Sequence, residues 1–270
     1  MAQIVIVVPC FNEAQRLDVD RFCQFLGRSG EVQLCLVNDG STDDTAEVLA
    51  CLERRLPGRC RVLHLRRNVG KAEAVRQGML AAFDARPELA GYWDADLATP
   101  LEAVPRLAEA LRWRPRAQVA FGSRVCLLGR HIERRWHRHL ASRAFAAAAS
   151  WVLGAPIYDT QCGAKLFRVG PEVEAVFRRP FRSRWIFDVE ILARLAEVWP
   201  AAGLADLAHE VPLDEWRDVA GSKLRASDFL RSIGELWRIR RQYGIRRPQR
   251  LAGRAASLPV PPPQRLEKAA

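Results

Sequence analysis

The sequence predicts an α/β fold in which a mostly parallel sheet is flanked by helices, and three observations predict it. Segments 3–8, 32–37 and 89–93 are apolar at nearly every position, as strands covered on both faces must be. Strand-like and helix-like segments alternate from residue 3 to residue 122, the order of a βαβ array. At 49% hydrophobic residues over 270 positions, the chain can fill a substantial core without staples.

Segment 3–8 is the first strand and Pro9 stops it. Asn12-Glu13 opens a helix that runs to residue 26. The second strand, 32–37, ends in Asn38-Asp39-Gly40-Ser41-Thr42-Asp43. Here Gly40 permits a tight turn, and Ser41 or Thr42 caps a helix reaching residue 55. A third strand occupies 61–65. Asn68-Val69-Gly70 then turns into a helix with Ala72, Val75, Met79 and Ala82 on one face, and Pro87 ends that region. Strand 89–93, helix 100–113 and strand 117–122 follow. Beyond residue 123 come an alanine-rich helical run within 130–153 and an extended segment at 157–167. A helix at 186–199, with Ile186, Val189, Leu192, Ala193 and Ala196 at helical spacing, precedes a last strand at 204–211. Residues 1–225 thus form the main domain and 226–245 an amphipathic C-terminal helix. Residues 246–270, rich in proline and arginine with little to bury, read as a disordered tail.

The seven cysteines form no Cys-x-x-Cys pair and several lie in apolar runs, which fits reduced thiols in a cytoplasmic protein. The amino terminus leads straight into a strand with no secretory signal, and the longest uncharged stretch, 144–158, is too short and interrupted to span a bilayer. The net charge is +11, and only Lys71, Lys165, Lys223 and Lys268 of the 42 basic residues are lysine. Arginine suits bidentate capture of phosphate, whether on a nucleotide, a lipid or a nucleic acid.

Ligands of parallel sheets bind beyond the carboxyl ends of the strands. Pro9, Asp39, Asp94 and Asp96 all stand at such ends and are expected to converge on one crevice. Asp94-Ala95-Asp96 is the pair on which the others centre. Two carboxylates so close raise each other's pKa unless a cation lies between them, and oxygen ligands of this kind suit Mg²⁺ or Mn²⁺. Lys71 follows Gly70, but the Gly-x4-Gly-Lys-Ser/Thr spacing of a phosphate-binding loop is absent, so an ATPase of that class is excluded.

The blocks Val8-Pro9-Cys10-Phe11-Asn12-Glu13, Val37-Asn38-Asp39-Gly40-Ser41-Thr42-Asp43, Asn68-Val69-Gly70-Lys71 and Asp94-Ala95-Asp96 resemble, in this order, glycosyltransferase family 2 with its Rossmann-like GT-A fold. The resemblance continues through Phe121-Gly122-Ser123-Arg124, Tyr158-Asp159-Thr160-Gln161-Cys162-Gly163-Ala164-Lys165-Leu166-Phe167, Phe187-Asp188-Val189-Glu190 and Glu210-Val211-Pro212 with Gly221-Ser222-Lys223. These later blocks look most like the polyprenyl-phosphate sugar transferases, especially the dolichyl-phosphate β-glucosyltransferase branch. The resemblance implies that Pro9, Asn12, Glu13 and Asp39 hold the base and ribose of a nucleoside-diphosphate sugar, with Lys71 and Asp94 beside them. It also implies that Asp94 and Asp96 hold Mg²⁺ or Mn²⁺, Asp96 as the direct ligand. Arg124, Arg143 and Lys223 are candidate phosphate clamps for the acceptor.

The implied reaction is inverting transfer of a hexose, glucose from UDP-glucose, to a polyprenyl phosphate at the inner membrane face, with the protein bound there peripherally. A phosphate acceptor is already ionised, whereas a hydroxyl acceptor needs a carboxylate base, for which Asp159 and Asp188 are the candidates. Two departures bear on the acceptor: no carboxyl-terminal membrane span is present, and Ala98 stands where some relatives place a further polar contact after the acidic pair. A soluble hydroxyl acceptor is the second reading. A non-catalytic basic protein on nucleic acid is the third, and the acidic pair argues against it.

Overall fold

The computed structural model describes residues 3–133, 136–217 and 226–243. Its first half alternates as β1 (Ile4–Cys10), α1 (Val19–Arg28), β2 (Val32–Asn38), α2 (Thr45–Arg55), β3 (Cys60–His64), α3 (Lys71–Asp84), β4 (Leu89–Trp93), α4 (Ala103–Trp113) and β5 (Val119–Ser123). The second half adds β6 (His131–Glu133), α5 (Trp136–Leu153), β7 (Ala164–Arg168), α6 (Pro171–Arg178), α7 (Phe187–Val198), α8 (Leu204–Leu207), β8 (Ala208–Pro212), β9 (Glu215–Arg217) and α9 (Ala226–Tyr243). One seven-stranded sheet runs in the order β3-β2-β1-β4-β7-β5-β8, and β6 pairs with β9 in a small ribbon. All pairings in the large sheet are parallel except those of β7, which is antiparallel to both β4 and β5. The fold is therefore the mostly parallel α/β architecture expected.

Strand alternation explains the two cores. Val5 and Val7 of β1 face one side of the sheet with Val75 and Met79 of α3, Phe177 of α6, Leu192 of α7 and Leu236 and Ile239 of α9. Ile4, Ile6 and Val8 face the other, with Phe22 of α1, Leu49 and Leu52 of α2 and Leu107 and Leu111 of α4. Successive strand side chains point to opposite faces, so a strand with helices on both sides must be apolar throughout.

Four local expectations are corrected. The first helix begins at Val19, not at Asn12: Asp18 caps it by accepting the Arg21 N–H at 3.0 Å, while Asn12 adopts a left-handed φ of 53° and residues 13–17 form turns. The extended segment 157–167 shrinks to β7, because residues 157–163 form an irregular loop. The last strand starts at Ala208, its predicted first half being the single helical turn α8. Helix α6, opened by Pro171 after Gly170, was not anticipated; proline is favoured there because the first-turn N–H has no partner to lose. The C-terminal helix is present as α9 and packs on α5 and α7. The proposed tail at 246–270 lies outside the described residues.

Candidate active site

Two loops at the carboxyl edge of β1 and β2 are zipped together by short polar side chains. The Asn12 N–H donates to Ser41 Oγ at 3.1 Å, and Asn12 Oδ1 accepts the Thr42 N–H at 2.9 Å. The Glu13 N–H donates to Thr45 Oγ1 at 2.8 Å, and the Glu13 carboxylate grips Arg16 with contacts of 2.9 and 2.5 Å. Pro9 lies beside Val37 in register. Asp39 is buried, its two oxygens accepting the N–H groups of Val69 at 2.8 Å and Gly70 at 2.9 Å. Burial raises the Asp39 pKa, and the two amides and the Arg184 charge offset this only in part. Gly40 is obligatory: its φ is 61°, and a Cβ there would lie 2.3 Å from the Arg67 carbonyl carbon.

The braced segment at Val69 and Gly70 opens α3, so Lys71 occupies its first turn. Its Nζ lies 2.5 Å from Asp94 Oδ1. Lys71 is exposed along its side chain; crowding of its ammonium acts to lower its pKa, but the carboxylates of Asp94, Asp188 and Asp96 outweigh this and the pKa rises. Asp94 Oδ1 accepts no hydrogen bond of good geometry beyond this ion pair. Asp96 Oδ1 accepts the Ala98 N–H at 3.1 Å across a turn in which Leu97 takes a φ of 49°. Burial and the neighbouring charge of Asp94 raise the Asp96 pKa, with Ala98 and Lys71 opposing them and Glu13 adding to the rise.

These features suit a divalent cation. Two carboxylates one residue apart repel each other, as the raised Asp96 pKa reflects, and the Lys71 ammonium at Asp94 Oδ1 shows that a cation is accepted there. Among the described residues no cluster of three or more His, Cys, Asp or Glu side chains could hold a metal. Asp94 and Asp96 would thus supply at most two ligands from the side chains described, leaving further positions to water and diphosphate oxygens, the arrangement Mg²⁺ favours.

Asp94 is seated from below by the loop that precedes β7. Its N–H donates to the Gly163 carbonyl at 3.0 Å, and a Cβ at Gly163 would fall 1.9 Å from Asp94 Oδ2. Gly163→Ala is therefore expected to displace the Asp94 carboxylate and lower turnover on the order of a hundredfold, the usual penalty for shifting a reacting group by an ångström. Steady-state kinetics with a parallel melting curve check this, and unchanged turnover would detach Asp94 from the chemistry.

Beyond Asp94 the candidate bases are held by cations. Asp159 receives Arg124 in a fork, Nε to Oδ2 at 2.6 Å and Nη2 to Oδ1 at 2.7 Å, plus the Arg124 N–H at 3.1 Å. Burial acts to lower the Arg124 pKa, but Asp159 more than offsets it and the pKa is raised; the guanidinium also stands 5.2 Å from the Trp216 ring centroid. Glu210 of β8 holds the same loop by accepting the N–H groups of Tyr158 and Asp159 at 2.8 and 2.7 Å. Arg143 lies over the Tyr158 ring at 3.8 Å and donates to the Tyr158 carbonyl at 3.0 Å. Asp188, in the first turn of α7, lies 2.6 Å from the Nζ of the wholly buried Lys165 and accepts the Tyr92 hydroxyl at 2.5 Å.

The fold thus brings Asp39, Lys71, Asp94, Asp96 and Asp188 into one neighbourhood at the carboxyl edge of the sheet, with Glu13 near Asp96 and Arg124 within electrostatic reach of Asp94. Arg143 stands further along the 158–159 loop, and Lys223 lies outside the described residues. Sequence reasoning assigned no role to Gly163, Lys165 or Arg184. Both of the first two lie inside a quoted motif, but Gly163 acts on Asp94 of the neighbouring chain segment and Lys165 on Asp188 of α7, as well as on two carbonyls of its own loop. Arg184, whose Nη2 is 3.5 Å from the Val69 carbonyl, carried no signal beyond its place just before Phe187-Asp188.

A mostly parallel sheet with a carboxylate pair and a lysine beyond its central strand has the architecture of a GT-A glycosyltransferase. The model of the glycosyl transferase family 2 matches residues 5–173, and the chain belongs to that family. It is similar to the dolichyl-phosphate beta-glucosyltransferase of Homo sapiens, 31% identical over 236 residues that cover 82% of this chain and 69% of the relative. The enzyme of the same name from Saccharomyces cerevisiae is 30% identical over 259 residues, covering 88% and 74%. Among solved structures, glucosyl-3-phosphoglycerate synthase from Mycobacterium tuberculosis with Mn²⁺, UDP-glucose and phosphoglyceric acid superposes with a TM-score of 0.61 at 22% identity, covering 91% of this chain and 81% of that one. Its complex with Mg²⁺ and UDP also gives 0.61 at 22% identity, covering 88% and 79%. At that identity the likeness supports the fold.

Proposed function

We propose that the protein is a divalent-metal-dependent, inverting glucosyltransferase that moves glucose from UDP-glucose to a polyprenyl phosphate, working peripherally at the cytoplasmic face of a membrane. The observation that carries the choice of acceptor is that both candidate bases are already engaged. For Asp159 or Asp188 to take a proton, an ion pair with Arg124 or Lys165 would have to break inside the protein, which is costly. A phosphate monoester makes no such demand, being largely ionised near neutral pH. The relatives at about 30% identity are named for transfer involving a dolichyl phosphate, and the solved neighbours include UDP-glucose with Mn²⁺.

In this reaction Pro9, Asn12, Glu13 and Asp39 line the base and ribose, and Lys71 lies alongside the diphosphate. Asp94 and Asp96 hold the cation, which supplies neutralisation of the charge building on the leaving diphosphate. Arg124, Arg143 and Lys223 receive the acceptor phosphate. Arg124 keeps Asp159 as a counter-ion, so its guanidinium stays fixed in direction while it meets a second anion. Among the described residues no helix is long and apolar enough to cross a membrane.

The test is transfer from radiolabelled UDP-glucose with Mg²⁺ or Mn²⁺ to a short-chain polyprenyl phosphate, to the matching polyprenol, and to neutral sugars and glycerol. Product on the lipid phosphate alone, abolished by a chelator, is expected. Transfer to neutral hydroxyls with none to the phosphate would overturn the assignment, as would preference for another nucleotide sugar.

A further inference from the structure

We infer that the outer face of α9 with the adjoining end of α5 is a docking surface for an anionic lipid bilayer. Among the described residues, three large exposed hydrophobic side chains stand on these two helices: Trp151 of α5 and Ile233 and Trp237 of α9. Trp151, Ile233 and Trp237 are 53, 48 and 55% exposed, far more than ordinary packing against the sheet would leave them. Ile233, Trp237 and Arg241 stand four residues apart, so they form one stripe of α9, while the neighbouring Leu236 and Ile239 turn into the core.

The arginines are attached to the tryptophans. Arg240 lies 3.9 Å from the Trp151 ring centroid and donates to the Trp151 carbonyl at 2.8 Å; Arg241 lies 4.7 Å from the Trp237 ring. Each cation and its ring therefore occupy one depth, which is what an interface with phosphate head groups above and acyl chains below selects. From Ser232 to Tyr243 the helix carries Arg238, Arg240 and Arg241 against Glu235 alone, and Glu235 is taken up by the Ser183 hydroxyl at 2.5 Å. Charge complementarity thus points to an anionic partner, and the exposed indoles favour a bilayer over nucleic acid.

The surface adjoins the crevice. Ser183, bonded to α9, also accepts the Ile186 N–H at 2.8 Å, and the intervening Arg184 reaches the Val69 carbonyl beside Asp39. Docking on this face would hold the crevice rim near the bilayer. In that respect the inference deepens the lipid-phosphate acceptor proposed above, although the surface itself is argued from its own residues.

The test is sedimentation of the full chain with vesicles of phosphatidylcholine, with and without phosphatidylglycerol, and no nucleotide sugar or polyprenyl phosphate. Binding to the mixed vesicles with a blue-shifted tryptophan emission, weakened by salt, is expected. The pairs Ile233→Ser with Trp237→Ser, and Arg238→Glu with Arg241→Glu, are each expected to weaken binding on the order of tenfold or more while melting as the parent does. No binding to either vesicle, or binding indifferent to both pairs, overturns the inference. So does capture of random duplex, but not vesicles, through the same residues. Because no transfer is measured, failure here leaves the transfer assay to judge the reaction separately, and the reverse holds too.

Discussion

Asp96→Asn is expected to lower transfer roughly a thousandfold or more, the several kcal/mol that a metal contributes by stabilising charge on a leaving group. The substitution keeps an oxygen for the Ala98 N–H, so the turn after β4 survives and the loss falls on the cation rather than on the fold. Calorimetry with Mn²⁺ and UDP should show the metal-dependent part of nucleotide binding disappear with turnover. A second readout runs in the opposite direction. The folded pKa of Asp96 is raised by burial and by Asp94, so its ionised form disfavours the folded state at neutral pH. Without metal the Asn variant should therefore melt above the parent at neutral pH. That advantage should fade as pH falls through the raised pKa, where the native carboxyl takes up its proton. Full turnover in the variant, or a lower melting temperature at neutral pH without metal, would remove Asp96 from the role given to it.

The second large effect is on stability. Lys165→Met would leave Asp188 as an unpaired carboxylate with only the Tyr92 hydroxyl, and breaking a buried pair in this way costs about 3–5 kcal/mol. For a domain of this size that is roughly a 10 °C fall in melting temperature. The same ammonium donates to the carbonyls of Thr160 and Cys162 at 2.9 and 2.6 Å, tying down the loop that seats Asp94, so the KM for the donor should rise as well. Combining Lys165→Met with Asp188→Leu should recover most of the melting temperature, since no bare charge remains. An unchanged melting curve for the single variant would refute a structural role for the pair.

Both predictions depend on parts of the molecule that differ in how openly the sequence displays them. Strands β1, β2 and β4 are apolar on both faces, which only a covered central strand explains, and the acidic pair follows Trp93 directly. Sheet and pair were therefore legible from local pattern. Asn12 illustrates the opposite case. Its local context matches a helix start, yet its side chain is used on Thr42, 30 positions away, and the helix waits for Asp18. The engagement of the candidate bases was likewise hidden, because Arg124 and Asp159 are 35 positions apart and Tyr92 and Asp188 are 96 apart. Nothing in a carboxylate's own neighbourhood says which distant cation will claim it. The reversed direction of β7 escaped for a related reason: alternation reports how a strand is buried, not which way its neighbours run.

That reversed strand also dictates when the molecule can become competent during synthesis. When the first 123 residues have left the ribosome, β4 and β5 each still lack the neighbour that separates them, and the open edges are templates for pairing with other chains. The carbonyl that receives the Asp94 amide belongs to Gly163, and the strand that closes the gap is complete only at Arg168. A nascent chain halted before that point would carry the whole acidic motif and still be unable to seat it.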